Sequence, residues 1–85
     1  MSSDDRVTRS IAYEIERYLQ RHPGAADTAE GIRAWWLPVD LTATDLSVVV
    51  EALGQLEARG VVARTELKGL ATTFGSAARG RKSMQ

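Results

Sequence analysis

Two hydroxyl side chains and two cations stand where they could contact nucleic acid. Thr44 and Ser47 lie in the exposed first half of a predicted helix, and Arg64 and Lys68 lie in the β-prone stretch that follows it. Hydroxyl groups can hydrogen-bond to base edges or phosphates, and cations neutralise phosphate charge. By residue type alone, these four side chains could hydrogen-bond to a phosphate-bearing partner or neutralise its charge.

Acidic residues on the same helix oppose that interpretation. Asp45 and Glu51 would repel phosphate, and no arginine or lysine occurs between Thr42 and Ala58. Arginine or lysine bound to guanine is the commonest specific base contact, and this helix has neither. Two or three cations in the hairpin make few phosphate contacts, so we expect weak DNA affinity unless dimerisation doubles them.

A basic segment ends the chain. Residues 76–85 contain Arg79, Arg81 and Lys82 and no acid, so the net charge of zero leaves residues 1–75 with a charge of −3. We expect residues 76–85 to form a flexible basic tail, separate from the folded domain. The tail could hold phosphate, bind an acidic partner, or be a solvated chain end with no role.

An apolar patch is the main sign of protein binding. Trp35, Val48 and Ala52 are predicted to lie on the side shared by the second and third helices. Tryptophan is enriched at the energetic centres of protein interfaces. The simpler alternative is that Trp35 covers the rim of the core and that Val48 is an ordinary exposed valine.

Nothing in the sequence indicates catalysis, a metal or a cofactor. His22 is the one histidine, and the chain has no cysteine that could supply a thiolate ligand or a disulfide. Glu14 and Glu16 are predicted on different faces of a helix, so they do not form an acid–base pair. There is no glycine-rich phosphate loop. We therefore expect a non-catalytic protein.

The elements that position these residues begin with one long helix. A length of 85 residues allows a single small domain. Asp4 or Asp5 is the predicted cap of the helix, and His22-Pro23-Gly24 its end. Apolar residues at three- and four-residue spacing form its inner stripe: Val7, Ile11, Ile15, Tyr18 and Leu19.

Two shorter helices follow. Asp27 is the predicted cap of the second helix, with Glu30 reaching back, and Pro38 limits its length. The third is predicted from Thr42 or Thr44 to Arg59, with Gly60 as a left-handed stop. We expect a close backbone approach at Gly54. The predicted inner stripe consists of Leu46, Val49, Val50, Leu53 and Leu56.

The apolar pattern changes to period two after Gly60. Residues 61–67 and 70–74 are predicted to pair as a hairpin about a tight Lys68-Gly69 turn. Leu70 and Phe74 are expected to cover the ends of the first and third helices. The predicted fold class is α+β and mostly α, with three helices followed by a two-stranded hairpin. The domain is expected over residues 5–75, after a frayed leader at residues 1–4.

The end of the third helix carries a family resemblance. The residues are Ala52-Leu53, the run Leu56 to Val62, and Arg64. They resemble the bacterial winged-helix (winged helix-turn-helix) families, including transcription regulators of the multiple-antibiotic-resistance type, over about residues 28–75. The resemblance implies that the hairpin is a wing. In DNA-binding members the third helix would lie in the major groove. The resemblance thus implies DNA contacts by Thr44 and Ser47 in that helix and by Arg64 and Lys68 in the wing, whereas some small members are protein-binding accessory modules.

Two functions are therefore open. The first is a small regulatory or accessory module that binds a protein partner, or itself, through the Trp35 side. The alternative is a dimeric DNA-binding transcription regulator. No signal peptide is evident at the N-terminus, and the aliphatic run Val48–Val50 is far too short to span a membrane. We therefore expect a cytoplasmic protein with no membrane contact.

Overall fold

Helix α1, Ser3–Arg21, is the longest element of the computed structural model, which describes residues 3–77 and side chains from Arg6 onward. It begins two residues before the expected start of the domain at Asp5. Its buried residues are Thr8, Ile11, Ala12, Ile15 and Leu19, and Val7 is more exposed than expected. The side chains of the predicted caps Asp4 and Asp5 are not among those described. The tail cations Arg79, Arg81 and Lys82 lie outside the described residues.

The structure is α+β and mostly helical, with three α-helices and one three-stranded antiparallel sheet among the described residues. Strand β1, Ala26–Asp27, was not predicted. It pairs with the last strand, β3 (Thr73–Ser76), with Ala26 opposite Gly75 and Asp27 opposite Phe74. The strand order is β1-β3-β2, where β2 is Val62–Thr65. Two residues are too few to show an alternating pattern, so the sequence alone does not reveal this strand.

The second helical segment consists of α2, Ala29–Gly31, and a π-helical turn, Ile32–Trp36. The predicted cap Asp27 is wrong. Thr28 is the cap, and its Oγ1 accepts a hydrogen bond of 3.1 Å from the backbone N–H of Gly31. Asp27 is held in β1, and its carboxylate instead accepts the backbone N–H of Thr28 at 2.8 Å. A Cβ at Gly31 would collide with that carboxylate.

Helix α3, Leu46–Ala58, begins later than predicted. Thr42 and Thr44 precede it, because a 3-10 turn at Val39–Leu41 is followed by further three-residue turns, with Thr42 N donating to Val39 O and Thr44 N to Leu41 O. The predicted stop at Gly60 is confirmed, with φ of +78°. Gly60 N donates to Glu57 O and Val61 N to Leu56 O, the pair of bonds that defines a Schellman motif.

The core lies between α1, α3 and the π-helical turn, and the buried residues of α3 are Val49, Ala52, Leu53 and Leu56. Ala52 therefore takes the place predicted for Val50, which is 47% exposed. Residues 49, 52, 53 and 56 lie on one helical face, whereas position 50 is rotated about 100° from position 49. The expected close approach at Gly54 is also wrong, because nothing lies within 4 Å of a Cβ built there.

Strands β2, Val62–Thr65, and β3, Thr73–Ser76, form the hairpin, but the tight turn is wrong. Their pairing ends at Thr65 opposite Thr73, so residues 66–72 form a longer loop. Lys68-Gly69 makes a turn inside this loop, with φ of +81° at Gly69. Phe74 is buried as expected, whereas Leu70 is 67% exposed and does not cover the helices.

Candidate functional site

The predicted DNA-contacting residues are divided by the fold. Ser47 is exposed in the first turn of α3, and Lys68 is exposed in the hairpin loop. Thr44 precedes the helix, and its carbonyl oxygen accepts a 3.3 Å hydrogen bond from the guanidinium of Arg33. The backbone of Thr44 therefore joins the loop before α3 to the second helical segment, and Thr44 is not a residue of α3.

Arg64 is engaged by two carboxylates of its own chain. Its Nη2 lies 3.1 Å from Glu57 Oε1, and its Nη1 lies 3.2 Å from Glu66 Oε2. The hydrogen bond to Glu57 and, to a smaller extent, the one to Glu66 raise the pKa of Arg64 above its ordinary value. The guanidinium also lies 5.6 Å from the centroid of the Phe74 ring. Phosphate would have to compete with both carboxylates for this arginine.

The three residues of the predicted protein-binding patch do not form one exposed surface. Trp35 is 77% exposed, whereas Val48 is half-buried against the core and Ala52 is fully buried. Ala52 as an interface residue is thus wrong, because it faces the interior with Val49 and Leu56. Trp35 is the one member of the three that is free to make extensive contact with a partner.

Trp35 belongs to a cleft that the sequence did not reveal, and we call it the Trp35 cleft. It has a volume of about 400 Å³ and is formed between α1 and the segment from Trp35 to Pro38. The residues that line it are Glu14, Arg17, Tyr18, Arg21, Trp35, Trp36, Leu37 and Pro38. It therefore combines exposed aromatic and apolar surface with two arginines.

Stacked rings support the base of the Trp35 cleft. Trp36 is buried and stacks on Tyr18, with ring centroids 4.5 Å apart and an angle of 12° between planes. Tyr18 also contacts His22, with centroids 4.5 Å apart. Leu37 follows with an extended backbone, as expected for a residue before proline. Trp35 is thus followed directly by two buried residues, Trp36 and Leu37, whereas Ala34 before it is exposed.

A second cleft lies between α3 and the hairpin, and we call it the hairpin cleft. Its volume is about 290 Å³. Leu46 and Val50 of α3 and Phe74 of β3 supply its apolar surface, beside Glu30 and Arg64. Val50 lines this cleft because it faces away from the core. Sequence reasoning missed this role, since a valine within an apolar run is assigned to the inner face by default.

Sequence reasoning also missed Arg17 and Arg21, which line the Trp35 cleft. Their four-residue spacing places them one turn apart on α1, a pattern that is visible in the sequence. That they flank Trp35 depends on how α1 packs against the π-helical turn, and no local pattern encodes this. Among the described side chains, residues 6–77, no three histidine or carboxylate groups are clustered as a metal would require. None of the described helices has the length and apolarity needed to cross a membrane.

Comparison with known proteins finds no family model, no curated protein and no solved structure that matches this chain. The resemblance to winged-helix families therefore rests on the residues from Ala52 to Arg64, and no comparison identifies the family.

Proposed function

We propose that this chain is a winged-helix domain that acts as a small, non-catalytic regulatory or accessory module and binds a protein partner through the Trp35 cleft. The element order supports the fold assignment, because α3 ends in a glycine stop that leads directly into a β-hairpin. The long loop 66–72 then corresponds to the tip of the wing.

The exposure of Trp35 is the observation that carries the functional proposal. A tryptophan side chain that is 77% exposed leaves a large apolar surface in water, and burying that surface against a partner is favourable. The packed rings of Tyr18 and Trp36 hold the adjacent backbone in place. Little conformational freedom is then lost on binding, which improves affinity.

DNA binding through α3 and the hairpin remains the alternative, and the electrostatics of that face argue against it. Glu57 and Glu66 occupy Arg64, while Asp45 and Glu51 are exposed on or beside α3. Lys68 is the remaining cation in the described part of the hairpin. A face of this composition makes few phosphate contacts, and binding of duplex DNA would be correspondingly weak.

Affinity capture with matched variants tests the proposed function. The wild-type chain, Trp35→Ala and Leu70→Ala are immobilised and exposed to extract of the source cells. Leu70 is a suitable control because it is also a large, exposed apolar residue but lies in the hairpin loop. We expect a protein retained by wild type and by Leu70→Ala and lost with Trp35→Ala. Identical captured proteins for all three chains would contradict the proposal.

Sedimentation of the same three chains tests self-association. If the partner is a second copy, wild type and Leu70→Ala will sediment as a larger species at high concentration, and Trp35→Ala will remain monomeric. Circular dichroism of each variant must match wild type, since the exposed side chains contribute little to the core.

A further inference from the structure

The solvent-facing side of α1 carries a row of arginines, and we call this row with its tyrosine the α1 stripe. It consists of Arg6, Arg9, Tyr13, Arg17 and Arg21, all exposed. Their spacings of three or four residues keep them on one side of the helix. At 1.5 Å per residue the stripe is about 22 Å long.

These arginines are unpaired within the described part of the molecule. None of the four makes an ion pair with a side chain of residues 6–77, whereas Arg59 pairs with Glu16 at 3.6 Å and Arg64 pairs with two glutamates. Arg17 instead lies over the ring of Tyr13, with Cζ 5.8 Å from the centroid. Tyr13 itself is 59% exposed.

The α1 stripe is continuous with the Trp35 cleft. A shallow depression of about 510 Å³ is lined by the N-terminal part of the stripe with Ser10 and Glu14. The Trp35 cleft begins at the same Glu14 and contains Arg17 and Arg21. One elongated surface thus runs along α1 and ends at an exposed tryptophan.

We infer that the partner bound at this surface presents an acidic segment with at least one large apolar side chain. Its carboxylates would pair with the arginines of the α1 stripe, since arginine forms bidentate hydrogen bonds with carboxylate. Its apolar side chain would pack against Trp35. This inference rests on the proposed function and adds the chemistry of the partner to it.

Glu14 distinguishes an acidic protein segment from a nucleic acid. It lies at the junction of the two depressions, in the path of any chain that follows the stripe. A phosphate backbone carries a charge at every nucleotide and would meet this carboxylate with repulsion. A peptide has uncharged and basic residues that it can place opposite Glu14, so the observed charge pattern favours a peptide.

Selection from a phage-displayed library of random peptides, about 12 residues long, tests the inference. The immobilised target is the full chain, and retained peptides are sequenced and their affinities measured by fluorescence anisotropy. We expect enrichment of peptides with two or more Asp or Glu residues and an aromatic or aliphatic residue. The Arg17→Gln/Arg21→Gln variant should bind them about tenfold more weakly.

Two controls keep the result specific. Lys68→Gln removes one cation from the hairpin loop and should leave the affinity unchanged. Trp35→Ala should also weaken binding. Enriched peptides without acidic residues that still require Trp35 would overturn the acidic-segment inference while supporting the proposed function.

A labelled single-stranded oligothymidine of about 12 nucleotides provides the competing outcome. We expect binding too weak to measure at physiological salt. Micromolar binding that is lost in Arg17→Gln/Arg21→Gln, together with no enriched acidic peptide, would show that the stripe serves nucleic acid and would overturn both the inference and the proposed function.

Discussion

The face formed by α3 and the hairpin and the face formed by α1 use arginine in opposite ways. On the first, Arg64 is held by Glu57 and Glu66 and packs on Phe74. On the second, the arginines of the α1 stripe make no ion pair with any described side chain. The same residue type is a structural cross-link on one face and an available binding group on the other.

This difference shows that the position of a cation in a family motif does not establish its use. Arg64 stands in the motif that resembles winged-helix families, yet its charge is already compensated. Arg17 and Arg21 belong to no motif, yet they border the most exposed tryptophan. Whether carboxylates lie within reach, rather than the position in the motif, decides which arginines can recruit an anion.

Loss of the buried ring beneath the α1 face should have the largest effect. Trp36→Ala removes the stack on Tyr18 and leaves a cavity, so we expect a loss of about 3–5 kcal/mol in the free energy of unfolding. Urea denaturation followed by circular dichroism measures it. Trp36→Phe, which keeps a stacking ring, should lose clearly less. Equal losses for the two variants would mean that the stack does not support this face.

The neighbouring tryptophan should show the reverse behaviour. Trp35→Ala removes a mostly exposed side chain, so stability should change by less than about 0.5 kcal/mol. Affinity for a captured partner or a selected acidic peptide should fall about 30-fold, equivalent to about 2 kcal/mol. Titration calorimetry measures the affinity. A stability loss as large as that of Trp36→Ala would show that Trp35 serves the core.

Substitutions at Gly54 of α3 and at Gly60, which follows the helix, should change stability without changing binding at the α1 face. Gly60→Ala places a Cβ on a residue with φ of +78° and should cost about 1–2 kcal/mol. Gly54→Ala has open space in the helix interior and should stabilise by about 0.5–1 kcal/mol. Thermal unfolding measures both effects. Neither variant should change the affinity for the acidic peptide. A changed affinity would show that the stability of the hairpin face influences binding at the α1 face.

The smallest expected effect comes from freeing Arg64. Glu57→Gln/Glu66→Gln removes both compensating charges, so this face would then resemble the α1 face in having an available arginine. Anisotropy with a generic duplex at low salt should show binding a few times tighter than wild type, with a salt dependence steeper by about one phosphate contact. Adding Arg64→Gln should abolish the gain. A gain that survives this third change would come from lost repulsion alone.

Local signals were sufficient for the body of α1, the end of α3 and the presence of a hairpin, but not for the start of α3, the hairpin turn or how the elements face one another. Ile11, Ile15 and Leu19 were predicted in the core because their spacing describes one helical face, and Gly60 was predicted as a stop because glycine accepts a positive φ. The sequence predicted Val50 on the inner face of α3 and Ala52 outside it, and the structure has the reverse. Three consecutive valines leave the direction of the inner face undetermined. The packing of α3 against α1 settles it.

The binding surfaces were less predictable than the fold because they depend on residues from separate elements. Glu66 lies two residues from Arg64 and so on the same side of an extended chain, which could have been foreseen. Glu57 reaches Arg64 only because the Schellman motif turns β2 back beside the end of α3. In the same way, the Trp35 cleft requires α1, which is remote in sequence from Trp35.

The π-helical turn at Ile32–Trp36 has a consequence for how this surface would evolve. A π turn contains one residue more than an α turn, because its hydrogen bonds join residues five apart rather than four. The direction of Trp35 is therefore set by the number of residues in the turn as well as by their identity. Deletion of a single residue within it would rotate the tryptophans relative to α1, so a change in length alone would remodel the surface that the partner meets.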